Sequence, residues 1–165
     1  MALVPSGITK VDRSQWVTYL DTTPDKANTP TWAVLGVGIT EFAIDYNPQV
    51  ETEKWIIEDN ARNDHTSNQK QGNVSQKIYK GDPCFEFAYK GCDKLNYVTH
   101  ILEIDRWNGT TEGKYPAKMS DGMIAVTRKG GDNAVLEYDL YFNGEPVEGE
   151  VTFTGDVPTF AAKAE

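Results

Sequence analysis

The stretch from Ala134 to Phe153 reads AVLEYDLYFNGEPVEGEVTF. In its first half Ala134, Leu136, Tyr138, Leu140 and Phe142 alternate with Val135, Glu137, Asp139 and Tyr141. A period of two places the first set on one side of an extended chain and the acids on the other, as in a strand with one buried face. Asn143-Gly144 follows, the pair favoured in two-residue hairpin turns because both central positions need positive φ. Beyond it Val147, Gly149, Val151 and Phe153 alternate with Glu148, Glu150, Thr152 and Thr154. This spacing predicts an antiparallel hairpin turning at Asn143-Gly144. A short extension at Val157 to Ala161 adds an edge.

Working outward, the same signal recurs. Tyr97 to Trp107 reads as a long strand, Met123 to Arg128 as another, and Trp16 to Leu20 as the first of the chain. Trp32 to Tyr46 reads as an extended run broken by Gly36 and Gly38. Asn47-Pro48 is its turn, and Glu51 to Glu58, with Trp55, Ile56 and Ile57, is its returning partner. Val74 to Tyr79 precedes the one helical signal, at 82–92. There Asp82 is placed to cap, Pro83 occupies the first helical position where its missing N–H costs nothing, and Gly91 can stop the helix. Phe85, Ala88 and Tyr89 are spaced to share a buried stripe. Many strands with one helix predict a mainly β fold, a sandwich or barrel-like domain with one short flanking α-helix. It is read as a single domain over 1–165, with an N-terminal arm at 1–14.

Residues 59–73 stand apart, because Asp59 to Gly72 carries no large apolar side chain. Connections beyond about 12 residues are uncommon in compact domains and are usually functional or disordered. The stretch reads either as a mobile surface loop or as an arm that orders against a neighbouring subunit. On the second reading Asp59, Asn60, Arg62, Asn63, Asp64, His65, Asn68 and Lys70 are candidate interface residues.

Composition narrows the function. With 165 residues and 39% hydrophobic content the chain can bury a core without disulfides. A formal net charge of -9 opposes a general grip on nucleic acid or on an anionic membrane, both of which need clustered Lys and Arg. Cys84 and Cys92 have neither redox nor zinc spacing and read as separate reduced thiols. No apolar run approaches the roughly 18 residues of a spanning helix, and Met1 to Lys10 lacks the pattern of a secretion signal. The acceptor-like Asn108-Gly109-Thr110 therefore reads as accidental, and the chain as a product that folds in a cytoplasm.

A search for chemistry is negative. His65 and His100 have no second ligand at a metal spacing, and His100 lies on an apolar alternation where a satisfied core or interface histidine is expected. Gly36-Val37-Gly38 opens like a dinucleotide loop but lacks the third glycine and the helix. Glu137 with Asp139, or Glu148 with Glu150, sit two apart on strands, which describes a solvated face better than a glycosidase pair. The expectation is no catalytic residue, no metal and no cofactor. Most acids fall on predicted strands, whereas most bases, Lys114, Lys118 and Lys129 among them, fall in predicted loops, termini or the helix. Trp16, Trp32, Trp55 and Trp107 lie in or beside predicted strands and are expected to be buried in core or interface. If exposed, they would suit a monomeric β-sandwich binding module for carbohydrate or a host surface.

The order of several motifs resembles the major tail, or tail tube, proteins of long-tailed bacteriophages, especially those of Gram-positive hosts. The carrying pieces are Asp45-Tyr46-Asn47-Pro48 with Glu53-Lys54-Trp55-Ile56, Tyr79-Lys80-Gly81-Asp82-Pro83 with Phe85 and Phe87, and Tyr115-Pro116-Ala117-Lys118. Gly130-Gly131-Asp132 and Asn143-Gly144-Glu145-Pro146-Val147-Glu148-Gly149 with Phe153 complete them. The resemblance implies a virion structural protein without catalytic residues or cofactor. It forms hexameric rings that stack into a tube around the tape-measure protein, meets a tail terminator and baseplate or tail-tip proteins, and lets DNA pass without specific binding. It would be made and assembled in the host bacterial cytoplasm and reside in the virion tail. Tubes of contractile tails, phage-like bacteriocins and type VI secretion share this architecture. The resemblance also makes the polar stretch and the termini connectors between rings, and makes Glu137, Asp139, Glu148 and Glu150 candidates for an acidic lumen face.

Overall fold

The computed structural model describes residues 6–164, so Met1 to Pro5 of the expected N-terminal arm and Glu165 lie outside the described residues. The fold is mainly β. The strands are β1 (Trp16–Asp21), β2 (Trp32–Val34), β3 (Ile44–Asp45), β4 (Pro48–Glu53), β5 (Arg62–Asn68), β6 (Gln71–Lys77), β7 (Tyr97–Asp105), β8 (Lys114–Gly130), β9 (Val135–Thr154) and β10 (Val157–Ala162), and the helix is α1 (Pro83–Lys90). Eight strands form one antiparallel sheet in the order β2-β1-β7-β8-β9-β6-β3, with β10 also on β9; β4 and β5 form a separate pair. No helix among the described residues is long and apolar enough to cross a membrane.

Cross-strand partners share a face, so the register sorts the core into two layers. Leu20, Ile101, Ile124, Leu136, Tyr138, Leu140 and Val74 form one cluster, covered by Cys84, Phe85, Phe87 and Ala88 of α1. Tyr19, Leu102, Ile104, Ala117 and Val151 form the other on the opposite face, with Phe153 and Phe160 packed against it. Because β7 feeds both layers, Ile101 and Leu102 are both fully buried, and the simple alternation read from Tyr97 to Trp107 does not hold. The segment between β2 and β3 crosses from one edge of the sheet to the other. The Leu35 N–H donates to the Thr18 carbonyl at 2.8 Å, and the Lys77 N–H donates to the Gly38 carbonyl at 3.0 Å. Phe42 stacks on Trp16 with ring centroids 6.3 Å apart. This bridge makes the sheet barrel-like around the helix-covered cluster and hides edges that would invite aggregation.

The helix begins as its sequence requires. Asp82 caps it by accepting from the Cys84 and Phe85 N–H groups at 3.2 and 3.3 Å. Its buried residues are Cys84, Phe85, Phe87 and Ala88, while Tyr89, expected in the stripe, is exposed. The cap is tied to the core, because Gln76 donates to Asp82 at 2.6 Å and Tyr138 donates to Gln76 at 3.1 Å. Burial pushes the Cys84 thiol up to about 12, with the Asp82 charge adding to it, and burial raises Tyr138 as well.

Four expectations are corrected. Asn143-Gly144 is not a hairpin turn, since β9 runs through it for 20 residues. Gly144 has φ +67° inside a bulge: Met119 pairs with Val147 and Asp121 with Asn143, so β9 holds two extra residues against β8 there. The reversal between β8 and β9 lies at Gly130 to Ala134, where Gly130, Gly131 and Ala134 all have positive φ. A bulge and a turn draw on the same tolerance for left-handed backbone, so the dipeptide alone does not separate them. The Met123 to Arg128 strand is the end of a longer one, and Pro116 fits in it because the β7 pairing stops at Ala117. The run from Trp32 to Tyr46 is mostly irregular, and β3 pairs with β6 rather than with residues 51–58. The polar stretch at 59–73 is no loop, since β5 and the start of β6 occupy most of it.

Candidate functional site

β4 and β5 form an antiparallel ribbon in register from Pro48 with Asn68 to Glu53 with Arg62, and every residue of both strands is exposed. Neither face is apolar, which is why the period-two signal is silent here. Short polar side chains stabilise the pair instead. Thr52 donates to Asn63 at 2.7 Å, Thr66 to the Gln49 carbonyl at 3.2 Å, and His65 Nε2 lies 2.8 Å from Asn68 Oδ1. At the root Asn47, with φ +42°, donates to the Gln69 carbonyl at 3.1 Å.

The connection between the strands carries Trp55, Ile56 and Ile57. Ile56 and Ile57 are 103% and 85% exposed, so the most water-exposed large aliphatic side chains of the ribbon sit at its tip. Trp55 is half-exposed, with the Arg62 guanidinium 4.1 Å above its ring and Arg62 paired with Glu58. Sequence reading had placed these three residues inside a returning strand. The available signal was that they sit between Lys54 and Glu58-Asp59 with no period-two continuation.

Of the predicted interface residues, Asp59 and Asn60 lie in the tip connection and Arg62, Asn63, Asp64, His65 and Asn68 on β5, so the ribbon gathers seven. Lys70 turns the other way. Its ammonium sits 2.9 Å from Glu103 of β7, with both side chains largely buried, and 4.5 Å from the Phe142 ring. It anchors the ribbon root to the barrel.

The four candidate lumen acids do not share a face. Glu137 and Asp139 point away from the helix-covered cluster, because Leu136, Tyr138 and Leu140 point into it. Glu148 and Glu150 point away from Val151 and its cluster, and so lie on the helix-covered side of the same strand. Lys114, Lys118 and Lys129, read as loop bases, are on β8. Lys118 is 3.4 Å from Glu148, Lys114 is 3.8 Å from Glu150, and Arg128 is 3.9 Å from Glu137. Asp139 accepts from Asn73 at 2.5 Å. Glu137 and Asp139 also join Glu41 and Asp45 in lining a cleft of about 440 Å³ beside β6.

His100 is a half-exposed strand histidine with partners: its Nδ1 is 2.9 Å from Asp21, and its Nε2 is 3.6 Å from Asp121. Asp21 is buried and also accepts the Thr23 and Thr31 N–H groups at 2.9 and 3.0 Å, closing the loop between β1 and β2. Among the described residues no group of three or more His, Cys, Asp or Glu is arranged to hold a metal ion. Trp16 and Trp32 pack against the two clusters, but Trp107, like Trp55, is half-exposed rather than buried.

No protein-family model matches the sequence, and no curated protein matches it significantly.

Proposed function

We propose that this chain is a structural subunit that polymerises, specifically a tail tube protein whose hexameric rings stack around a tape-measure protein and leave a conduit for DNA. One observation carries the reading: a polar two-stranded ribbon stands out from a barrel-like body and ends in exposed Trp55, Ile56 and Ile57. An isolated two-stranded ribbon is at best marginally stable in water, so an arm of this kind gains most from a neighbour. A knob on one part of a chain that meets a different part of the next copy makes a heterologous contact, which closes into rings or propagates into filaments. The motif order described above adds the phage-tail setting, with terminator and tail-tip proteins as end partners and the virion tail as the location.

A second reading, a binding module for carbohydrate or a host surface, is favoured by the half-exposed Trp55 and Trp107. Negative-stain electron microscopy of purified protein over a concentration and salt series separates the two. Rings or tubes of uniform diameter are expected. Dispersed monomers under all conditions, together with a measurable affinity for glycans lost in Trp107→Ala, would replace the first reading by the second.

A further inference from the structure

The ribbon tip needs a complementary surface, and the body offers an apolar groove of about 700 Å³. It is lined by Trp32, Val34 and Val37 on one side and by Tyr79 and Pro83 on the other. Val34, Val37 and Tyr79 are 39%, 44% and 52% exposed, so the groove gathers aliphatic and aromatic surface left uncovered by the fold. Its volume falls within the range of about 300–1,000 Å³ typical of clefts that enclose a compact ligand. Nothing in its own chain fills it, because the tip residues stand in water.

We infer that the groove is the socket for the Trp55-Ile56-Ile57 tip of a second copy of this chain. This inference rests on the polymeric reading above and names the contact that makes it. Charge selects the occupant. The tip is flanked by Glu53, Glu58 and Asp59 with Lys54, a net acidic set, whereas the groove wall runs Lys77-Ile78-Tyr79-Lys80. Lys80 on the rim suits the acidic shoulder of the tip, and Asp156 on the rim suits Lys54. Asp82, the other acid of the groove, is committed to capping α1. A basic peptide or an anionic membrane would not find this match at the tip.

Area sets the strength. A three-residue knob buries far less than the roughly 1,600 Å² of a standard stable interface, so one docked tip is a weak contact. In a closed ring every subunit gives one tip and accepts one, and the contacts act together through effective concentration. The socket therefore holds a polymer and not a dimer.

Trapping tests this directly. Ile57→Cys and Val37→Cys are made separately in a Cys92→Ser background, in which the remaining Cys84 is fully buried. Both positions are solvent-exposed, so the substitutions leave folding unaffected. The two proteins are mixed under polymerising conditions with a short bis-maleimide, beside a mixture of Ile57→Cys with Val98→Cys, which is exposed on β7 away from the groove. The expected result is a covalent heterodimer from the first mixture at least tenfold in excess of the second. Polymers with equal or no cross-linking in both mixtures would overturn the socket and leave the polymeric reading standing. Monomers with no cross-link under every condition would overturn both. As a further arm, Ile56→Asp with Ile57→Asp keeps the melting temperature of the free subunit and abolishes the cross-link of a Val37→Cys partner to a tip carrying Trp55→Cys. An undiminished yield would also overturn the socket.

Discussion

Individual side chains show which contacts hold the barrel. Leu140 is fully buried, so Leu140→Ala should destabilise the subunit by about 2–5 kcal/mol, as other large-to-small core changes do. Phe153 packs against the second cluster from a partly exposed position, so Phe153→Ala should also destabilise, but by less. Equal melting temperatures for wild type and Leu140→Ala would mean that the face assignment of β9 is reversed. Tyr138→Phe removes the donor to Gln76 and leaves a buried acceptor unpaired, which costs about 1–3 kcal/mol. The same network gives a pH dependence with a definite sign. Cys84 and Tyr138 both lose protons less readily in the folded state, chiefly through burial. The unfolded chain therefore deprotonates first, and the stability held below the unfolded thiol's pKa of about 8.5 is lost as pH rises toward about 12. Urea titrations at intervals across that range should show a falling unfolding free energy, with a shallower fall in Cys84→Ala. A flat profile would contradict the buried assignment.

At the scale of elements, what the sequence made legible depended on whether one face of a strand was dry. β1, the paired body of β7, both halves of β9 and β10 were visible because burial imposes alternation, and α1 was visible through Asp82-Pro83 and Gly91. β4 and β5 were invisible as a pair because both faces are wet, and their side-chain hydrogen bonds leave no hydrophobic period. The bulge at Asn143-Gly144 was mistaken for a turn because local backbone preference reports positive φ and not the direction the chain takes afterward. That error also hid the site. With a turn there, Glu137, Asp139, Glu148 and Glu150 can be imagined together; with a continuous strand, parity separates them. The seven ribbon residues were gathered correctly, but the apolar tip beside them was not foreseen. The docking of β10 on β9 can be broken selectively. A Cβ at Gly149 would collide with the Ala161 carbonyl, which is backbone and cannot yield without leaving the ladder. Gly149→Ala should therefore raise amide exchange at 157–162 while β6 to β9 stay protected. Unchanged exchange there would show that the strand shifts as a unit instead. The ribbon amides should exchange rapidly in the free subunit and slowly in the polymer, and equal protection in both states would remove its assembly role.

For the whole molecule, the division of acids across β9 turns the lumen idea into a choice between two surfaces. Duplex DNA carries one charge per roughly 1.7 Å of axis, so a conduit wall must be net acidic to avoid holding it by counterion release. Glu148 and Glu150 do not provide such a wall, since Lys118 and Lys114 lie beside them. Glu137 and Asp139 do, because Glu41 and Asp45 share their cleft and Arg128 is the one base paired with them among the described residues. In assembled tubes, Glu137→Lys with Asp139→Lys should leave tube yield unchanged and slow DNA ejection. The slowing should diminish at higher salt, where the screening length falls from about 10 Å at 0.1 M to about 3 Å at 1 M. Glu148→Lys with Glu150→Lys should do something different. It sets like charges opposite Lys118 on the neighbouring strand, a destabilising arrangement in a ladder, so it should lower the melting temperature of the subunit before any effect on transit. Ejection rate and subunit melting measured on both double variants decide the matter. Slower ejection in the second pair with unaltered melting would place the other face of β9 toward the DNA.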